Sequence, residues 1–304
     1  KLRQEFSKWC YTDSMSAQIL SGSAPSKKIL SSVKKDIKKL DPKLVIVQVG
    51  SDAASTSYIR KKMESCKEVG LRCDHIELLS TISEKEMLHL IHALNEDDDV
   101  SGFIIQLPLP KHLQKHEPKL FKAIDPAKDV DGFTAYNMGK IFLAKEFEHL
   151  PPATPAGIIS LLQYYKISVV SKHVVIVGHS NLVGKPLAAM LLNRDATVTV
   201  CHHKTKGLGQ ITAQADILIC AVGKPKLITK TLVKKGAVVI DVGTSQTKSG
   251  LKGDVDFEPV SNLASAITPV PGGVGPMTVA SLIKNCVTAK RRQVEACHAE
   301  PVEA

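Results

Sequence analysis

Hydrophobic and polar positions follow two periods along this chain, and the switches between them outline its elements. Continuous apolar runs recur at "KLVIVQVG" (43–50), "CDHIELL" (73–79) and "SGFIIQLPLP" (101–110), and each reads as a buried strand. Between them the period lengthens to that of a helix. "PSKKILSSVKKDIKKLDPK" sets Ile29, Leu30, Val33, Ile37 and Leu40 on one face and lysines on the other. "SEKEMLHLIHALNE" opens with Ser83 and Glu86 in capping-box spacing. The second half begins at "PPATPAGIISLLQYY", where Thr154 is the expected N-cap and Pro155 the first helical residue. Strand "HVVIVG", helix "GKPLAAMLLN", strands "ATVTV" and "DILICAV", helix "TKTLVKKG" and strand "AVVIDVG" follow. A long helix is expected over 276–294, with a frayed tail at 295–304. Strands alternating with helices predict an α/β chain whose parallel sheets are covered on both faces.

One position breaks the pattern. "STSYIRKKMESCKEVG" (55–70) reads as a helix starting near Ser51 or Asp52 and stopping at Gly70. Tyr58, Ile59, Met63, Cys66 and Val69 form its apolar face, opposite Arg60, Lys61, Glu64, Lys67 and Glu68. Lys62 falls in the middle of the apolar face. Two readings are open: a stem laid on the core with its ammonium in water, or a lysine at a pocket floor, where desolvation makes it a base.

Composition narrows the class. The chain has 304 residues, 43% of them hydrophobic, which suits one large or two ordinary α/β domains. Its apolar runs are too short to cross a bilayer. Residues 1–14 carry Glu5 and Asp13 without a continuous apolar segment; they are read as an extension rather than a signal peptide, with Met15 as a candidate start. Seven cysteines show neither C-x-x-C nor paired metal spacing, so no metal site is assigned and a reduced, cytoplasmic setting is expected. The net charge of +10 is spread along the chain and aromatic residues make up only 4%, which argues against nucleic-acid binding and for a field that attracts anionic metabolites.

Candidate chemistry begins at "VVIVGHSNLVGKPLAAMLLNRDATVTVCHHKT", a strand–turn–helix–strand unit of Rossmann order. Gly178 allows a tight turn, Ser180 can donate to phosphate, and Gly184 lets a helix start close to the ligand, its N–H groups towards a pyrophosphate. The end of the next strand, Cys201, His202, His203 and Lys204, has no carboxylate to hold a ribose 2′-hydroxyl, which favours NADP. Gln106 stands at the C-terminal end of a strand, where α/β clefts lie. "DPAKDVDGF" holds Asp129 and Asp131, and the alternative there is an Asp-Gly turn with solvated carboxylates. "ITPVPGGVGPMT" is a stiff loop whose backbone can approach a ligand closely.

Taken together, Tyr58 and Lys62 as Y-x-x-x-K, "QLPLP", "KDVDGF", Pro152–Gly157 as P-x-T-P-x-G, "VGHSNLVGKP", "ATVTVCHHKT", "GDVDF" and "PVPGGVGPMT" closely resemble the bifunctional methylenetetrahydrofolate dehydrogenase/methenyltetrahydrofolate cyclohydrolase family. The resemblance covers residues 16 to about 290. It implies a folate-side domain at 15–150, completed by the 276–294 helix, a Rossmann domain at 151–275, and folate in the cleft between them. It also implies NADP-dependent oxidation of 5,10-methylenetetrahydrofolate, hydrolysis to 10-formyltetrahydrofolate, service to purine and amino-acid biosynthesis, and a homodimer. Lys62 would be the key catalytic residue, with Tyr58 shaping its pocket, Gln106 tuning it and Asp131 anchoring the pterin. Ser55, Ile105, Leu107, Pro271, Gly272, Gly273, Val274 and Gly275 would line the substrate cleft. Gly178, His179, Ser180, Gly184, His203 and Thr244 would contact the cofactor.

This sequence departs from the family pattern chiefly on the cofactor side. His179 stands where arginine is common, His203 where serine is common, and Thr244 where isoleucine is common; Ala153 replaces a common cysteine. Neither histidine has arginine's permanent charge and fork, so NAD is not excluded. Weakened dehydrogenase activity and a binder without turnover are the alternatives. The retention of Lys62, Gln106 and Asp131 together weighs against a binder.

Overall fold

The computed structural model describes residues 17–247 and 250–298. The expectations for residues 1–14 and for the last part of the tail lie outside the described residues. The first half builds helix α1 (Ser23–Leu40), strand β2 (Lys43–Val49), α2 (Ala53–Val69), β3 (Arg72–Leu78), α3 (Glu84–Glu96) and β4 (Gly102–Ile105), preceded by the short strand β1 (Gln18–Ile19). Short helices α4 (Lys111–Gln114) and α5 (Glu117–Lys122) and then α6 (Ala135–Leu143) lead to the second half. That half runs α7 (Ala153–Tyr164), β5 (His173–Val177), α8 (Gly184–Leu192), β6 (Thr197–Cys201), α9 (Leu208–Thr212), β7 (Ile217–Cys220) and β8 (Val238–Asp241). A small hairpin of β9 (Ser245–Thr247) and β10 (Gly250–Lys252), then α10 (Phe257–Ser261), β11 (Ala266–Ile267) and the long α11 (Val274–His298), complete it.

Two parallel sheets result, in the orders β3–β2–β4 and β1–β11–β8–β7–β5–β6. Successive side chains of a strand point to opposite faces, so one apolar run feeds two cores. Along β2, Leu44 and Ile46 pack with α1, α2 and α11, whereas Val45, Val47 and Val49 pack with Met87 and Ile91 of α3. Along β5, Val174 and Ile176 face α7 and α8, and Val175 and Val177 face the opposite core. The predicted α/β class with helices on both sides of parallel sheets is what is observed.

Local capping decided several boundaries. The Ser83–Glu86 capping box forms in both directions. Other expectations fail. "TKTLVKKG" is not a helix but one 3₁₀ turn at Lys230–Leu232. Its β-branched residues at 229, 231 and 233 disfavour a helix, and the stretch is too short to nucleate one. Thr154 does not cap α7: the helix starts at Ala153 after Pro152, and the Thr154 hydroxyl pairs with that of Thr278 at 3.1 Å. The last helix exceeds 276–294 at both ends, because Pro276 fits its first turn and residues 295–298 offer no stop. Gln18–Ile19 join the second sheet by pairing with β11, so the chain enters through the second half's sheet before building the first.

Candidate active site

Helix α2 is fixed at both ends by local chemistry. Asp52 accepts a hydrogen bond from Ser55 N at 2.8 Å, and Gly70 closes the helix at φ 79°. Ile59, Cys66 and Val69 enter the core with Leu44, Ile46 and α11, which pins the rotation of the helix. Lys62 is carried inward with them and is only 6% exposed. It does not snorkel. Its Nζ donates to Gln106 Oε1 at 2.9 Å and lies 5.7 Å from the centroid of the Tyr58 ring. Gln106 follows β4, and its own Nε2 donates to Leu107 O at 2.8 Å, which turns the amide oxygen towards the lysine. Burial lowers the pKa of Lys62, and the nearby Asp131 carboxylate pulls it back up.

Asp131 is held out by its neighbour. Asp129, 1% exposed, accepts from Gly132 N at 2.9 Å, Phe133 N at 3.0 Å, Thr134 N at 2.8 Å and Asn137 Nδ2 at 2.9 Å. Gly132 takes φ 75° with Pro152 N 2.6 Å from where a Cβ would stand, so only glycine fits. The Asp129 carboxylate is therefore not solvated; it is the organiser of the loop. Burial pushes the Asp131 carboxyl up to about 6, with Lys62 opposing. Replacing Asp129 with alanine would leave four donors without an acceptor and should destabilise the fold by roughly 3 kcal/mol or more, read as a drop in the urea midpoint at neutral pH.

Beyond Tyr58 a cleft of about 410 Å³ opens between α1, α2 and the loop before α11. Tyr58, Lys27, Thr244, Pro271 and Gly275 are among its walls; Lys62, Gln106 and Asp131 are not. Tyr58 thus stands between the open cleft and the buried lysine. The loop approaches closely because its glycines permit it. A Cβ on Gly273 would stand 2.6 Å from Pro269 O, and Gly272 takes φ 103°.

On the second sheet, Gly178 takes φ 124°, and a Cβ there would stand 2.2 Å from Ala221 O. Gly184 makes room for the Gly178 carbonyl oxygen, 2.0 Å from its would-be Cβ. Ser180 Oγ accepts from Val183 N at 3.1 Å and keeps its own hydrogen to donate. Lys185 N is engaged by Ser180 O and Pro186 has no N–H, which leaves Gly184 N–H at the start of α8. Exposed His179, His202 and His203 cluster beside this turn, with ring centroids 4.8, 5.9 and 6.0 Å apart. His202 Nδ1 accepts from Lys204 N at 3.1 Å.

Residues 20–131 match the family described as "Tetrahydrofolate dehydrogenase/cyclohydrolase, catalytic domain", and residues 152–294 match its "NAD(P)-binding domain". The chain belongs to the tetrahydrofolate dehydrogenase/cyclohydrolase family. It is 45% identical over 287 residues to the bifunctional protein FolD of Acetivibrio thermocellus, covering 92% of this chain and 99% of that one. Its structure is similar to the FolD methylenetetrahydrofolate dehydrogenase/cyclohydrolase of Campylobacter jejuni, with a TM-score of 0.85, 42% identity, and 91% and 99% of the two chains covered. It is also similar to the Trypanosoma brucei enzyme complexed with NADP and an inhibitor, with a TM-score of 0.86, 33% identity, and 91% and 98% covered.

The family pairs a dehydrogenase with a cyclohydrolase, so this protein is a bifunctional enzyme of folate chemistry. Tyr58, Lys62, Gln106 and Asp131 fall in the segment matching the catalytic domain. Gly178, the histidine cluster, Thr244 and the 271–275 loop fall in the segment matching the NAD(P)-binding domain. Sequence reasoning passed over Asp129 as an organiser and His202 as a third member of the cluster. The donors to Asp129 all lie within eight residues of it, so its burial is what separates it from a surface turn, and burial depends on the elements packed around the loop. No helix among the described residues is long and apolar enough to cross a membrane.

Proposed function

We propose that this enzyme oxidises 5,10-methylenetetrahydrofolate with NADP and hydrolyses the resulting methenyl cation to 10-formyltetrahydrofolate, with Lys62 moving the protons of the second step. The observation that carries the role of Lys62 is its burial against Gln106, with a pKa held below that of a free lysine. A cationic substrate beside it favours the neutral amine further. Neutral Lys62 takes a proton from the water that adds to the methenyl carbon. It returns that proton to N5 as the carbon–N5 bond breaks, and the hydroxyl proton left on the adduct leaves to solvent. Asp131, an acceptor-only group when ionised, suits the paired N–H donors of a pterin. Tyr58 offers its ring as the wall against which the substrate is held, which is the positioning that hydride transfer needs.

NADP supplies the hydride acceptor. The residues that would hold it are Gly178 and Gly184, whose missing Cβ atoms let the turn close against Ala221 and against itself, and Ser180 between them, with Thr244 in the loop after β8. His179 and His203, joined by His202, present ring N–H donors for a 2′-phosphate in place of arginine and serine. The homodimer and the place in purine and amino-acid biosynthesis rest on the resemblance alone, and the cytoplasmic setting on the cysteine pattern.

The test is the initial rate of reduced nicotinamide formation with NADP and NAD side by side, with methenyl hydrolysis followed separately. NADP should lead in kcat/KM by about 10-fold, the worth of one good phosphate contact. Equal or better use of NAD would overturn the cofactor assignment and leave the folate chemistry standing.

A further inference from the structure

The C-terminal ends of β7 and β8 run into two short loops, Val222–Lys224 and Val242–Thr244, on the edge of the sheet where α/β enzymes take their ligands. Both loops are shaped by two buried carboxylates that no step described so far uses. Asp254, fully buried, accepts from Val222 N at 2.6 Å and Gly223 N at 3.1 Å through Oδ2, and from Lys224 N at 2.7 Å through Oδ1. Three successive backbone N–H groups thus converge on one side chain from a segment thirty residues away. Asp241, 4% exposed, accepts from Gly243 N at 3.1 Å and Asp254 N at 2.9 Å through Oδ1, and from Val255 N at 2.9 Å through Oδ2.

The two acids are interlocked through each other's glycines. A Cβ on Gly243 would stand 2.2 Å from Asp254 Oδ1, and a Cβ on Gly253 would stand 1.9 Å from Asp241 Oδ2. Ser245 Oγ closes the arrangement by donating to Gly223 O at 3.1 Å. Asp241, Val242 and Thr244 also wall the cleft beside Pro271. All six donors are backbone N–H groups. The carboxylates therefore fix main-chain shape at the cofactor side of the cleft, while Lys62 and Gln106 are set by the other sheet.

We propose that Asp254 and Asp241 are positioning residues for the dehydrogenase half of the reaction alone, holding residues 222–224 and 242–244 in the form that receives NADP. This rests on the NADP reading given under the proposed function. Asparagine at 254 keeps the size of the side chain but replaces one acceptor oxygen with an amide that itself donates, facing backbone donors.

The experiment compares native enzyme with Asp254→Asn in three measurements: NADP binding by calorimetry, NADP-dependent oxidation, and methenyl hydrolysis with no NADP present. The expected result is a rise of about 10-fold or more in the NADP dissociation constant and KM, the equivalent of 1.4 kcal/mol or more. Hydrolysis per folded molecule should stay within about twofold, a fraction of that energy. Gly243→Ala, which presses on the same carboxylate from the other side, should give the same split.

Unchanged NADP affinity in a folded variant would overturn the proposal, as would a parallel loss of both activities. Failure of both variants to fold would also overturn it, by making the acids structural only. A native enzyme that does not bind NADP would overturn the cofactor reading itself, and this inference with it.

Discussion

Lys62→Met should lose methenyltetrahydrofolate hydrolysis by about 10²–10⁴-fold, the usual worth of a positioned proton carrier, while melting no earlier than the native enzyme. Methionine has nearly the length of the lysine stem and no charge to desolvate. Lys62 is only 6% exposed, and burial lowers its pKa from 10.5. Between that lowered value and 10.5 the unfolded chain binds more protons than the folded one. Native stability therefore rises with pH through this window, and the penalty is full below it. The variant's advantage in thermal stability should accordingly be largest near neutral pH and shrink towards about pH 10. Gln106, half-buried, can take water in place of the lost donor. Oxidation should fall less than hydrolysis, because hydride transfer needs orientation more than proton transfer. Hydrolysis at the native rate in a folded Lys62→Met enzyme would remove Lys62 from the mechanism.

Asp131→Asn carries the second large effect, and it has opposite signs for function and stability. Burial pushes this carboxyl from 3.8 up to about 6. Below that value Asp131 is protonated and loses acceptor capacity towards the pterin N–H donors, so the native KM for folate should rise as the pH falls through about 6. In the asparagine variant that acid limb should vanish, with KM raised by about 10-fold or more at every pH. For stability, a carboxyl whose folded pKa is raised brings no penalty below the unfolded value. The penalty grows as the pH rises and is full above the folded value. Asp131→Asn should therefore be the more stable protein at neutral pH, by up to roughly 2 kcal/mol once the solvent near this partly exposed group is allowed for. The two melting curves should converge near pH 4, about the unfolded value. A native KM flat between about pH 5 and 8, a span that brackets the Asp131 titration at about 6, would show that the Asp131 charge does not serve binding.

The elements most legible in the sequence are those whose cause is local. The caps of α2 at Asp52 and Gly70, the Ser83–Glu86 box and the apolar runs of β2, β5 and β8 each act within a few residues. The two-residue strands β1 and β11 were not legible, because each exists only by pairing with the other and with β8. "KDVDGF" and "GDVDF" share an Asp-Val-Asp beside a glycine. Yet Asp129 and Asp254 are buried acceptors of three or four N–H groups, while Asp131, in the same six residues as Asp129, is left half-buried at the site.

By itself the sequence determined the α/β class, the run of strands and helices, the family, and the anomaly of one lysine on an apolar helical face. It did so because hydrophobic period, capping and turn chemistry are short-range properties of the chain. Whether that lysine reached water or stayed inside was decided by tertiary structure alone. Gln106 arrives from β4, 44 residues further along, and the packing of α2 against β2 and α11 sets the rotation that brings the two side chains to 2.9 Å. Burial and desolvation depend on every element that closes around a group, so they exist only once the sheets have assembled.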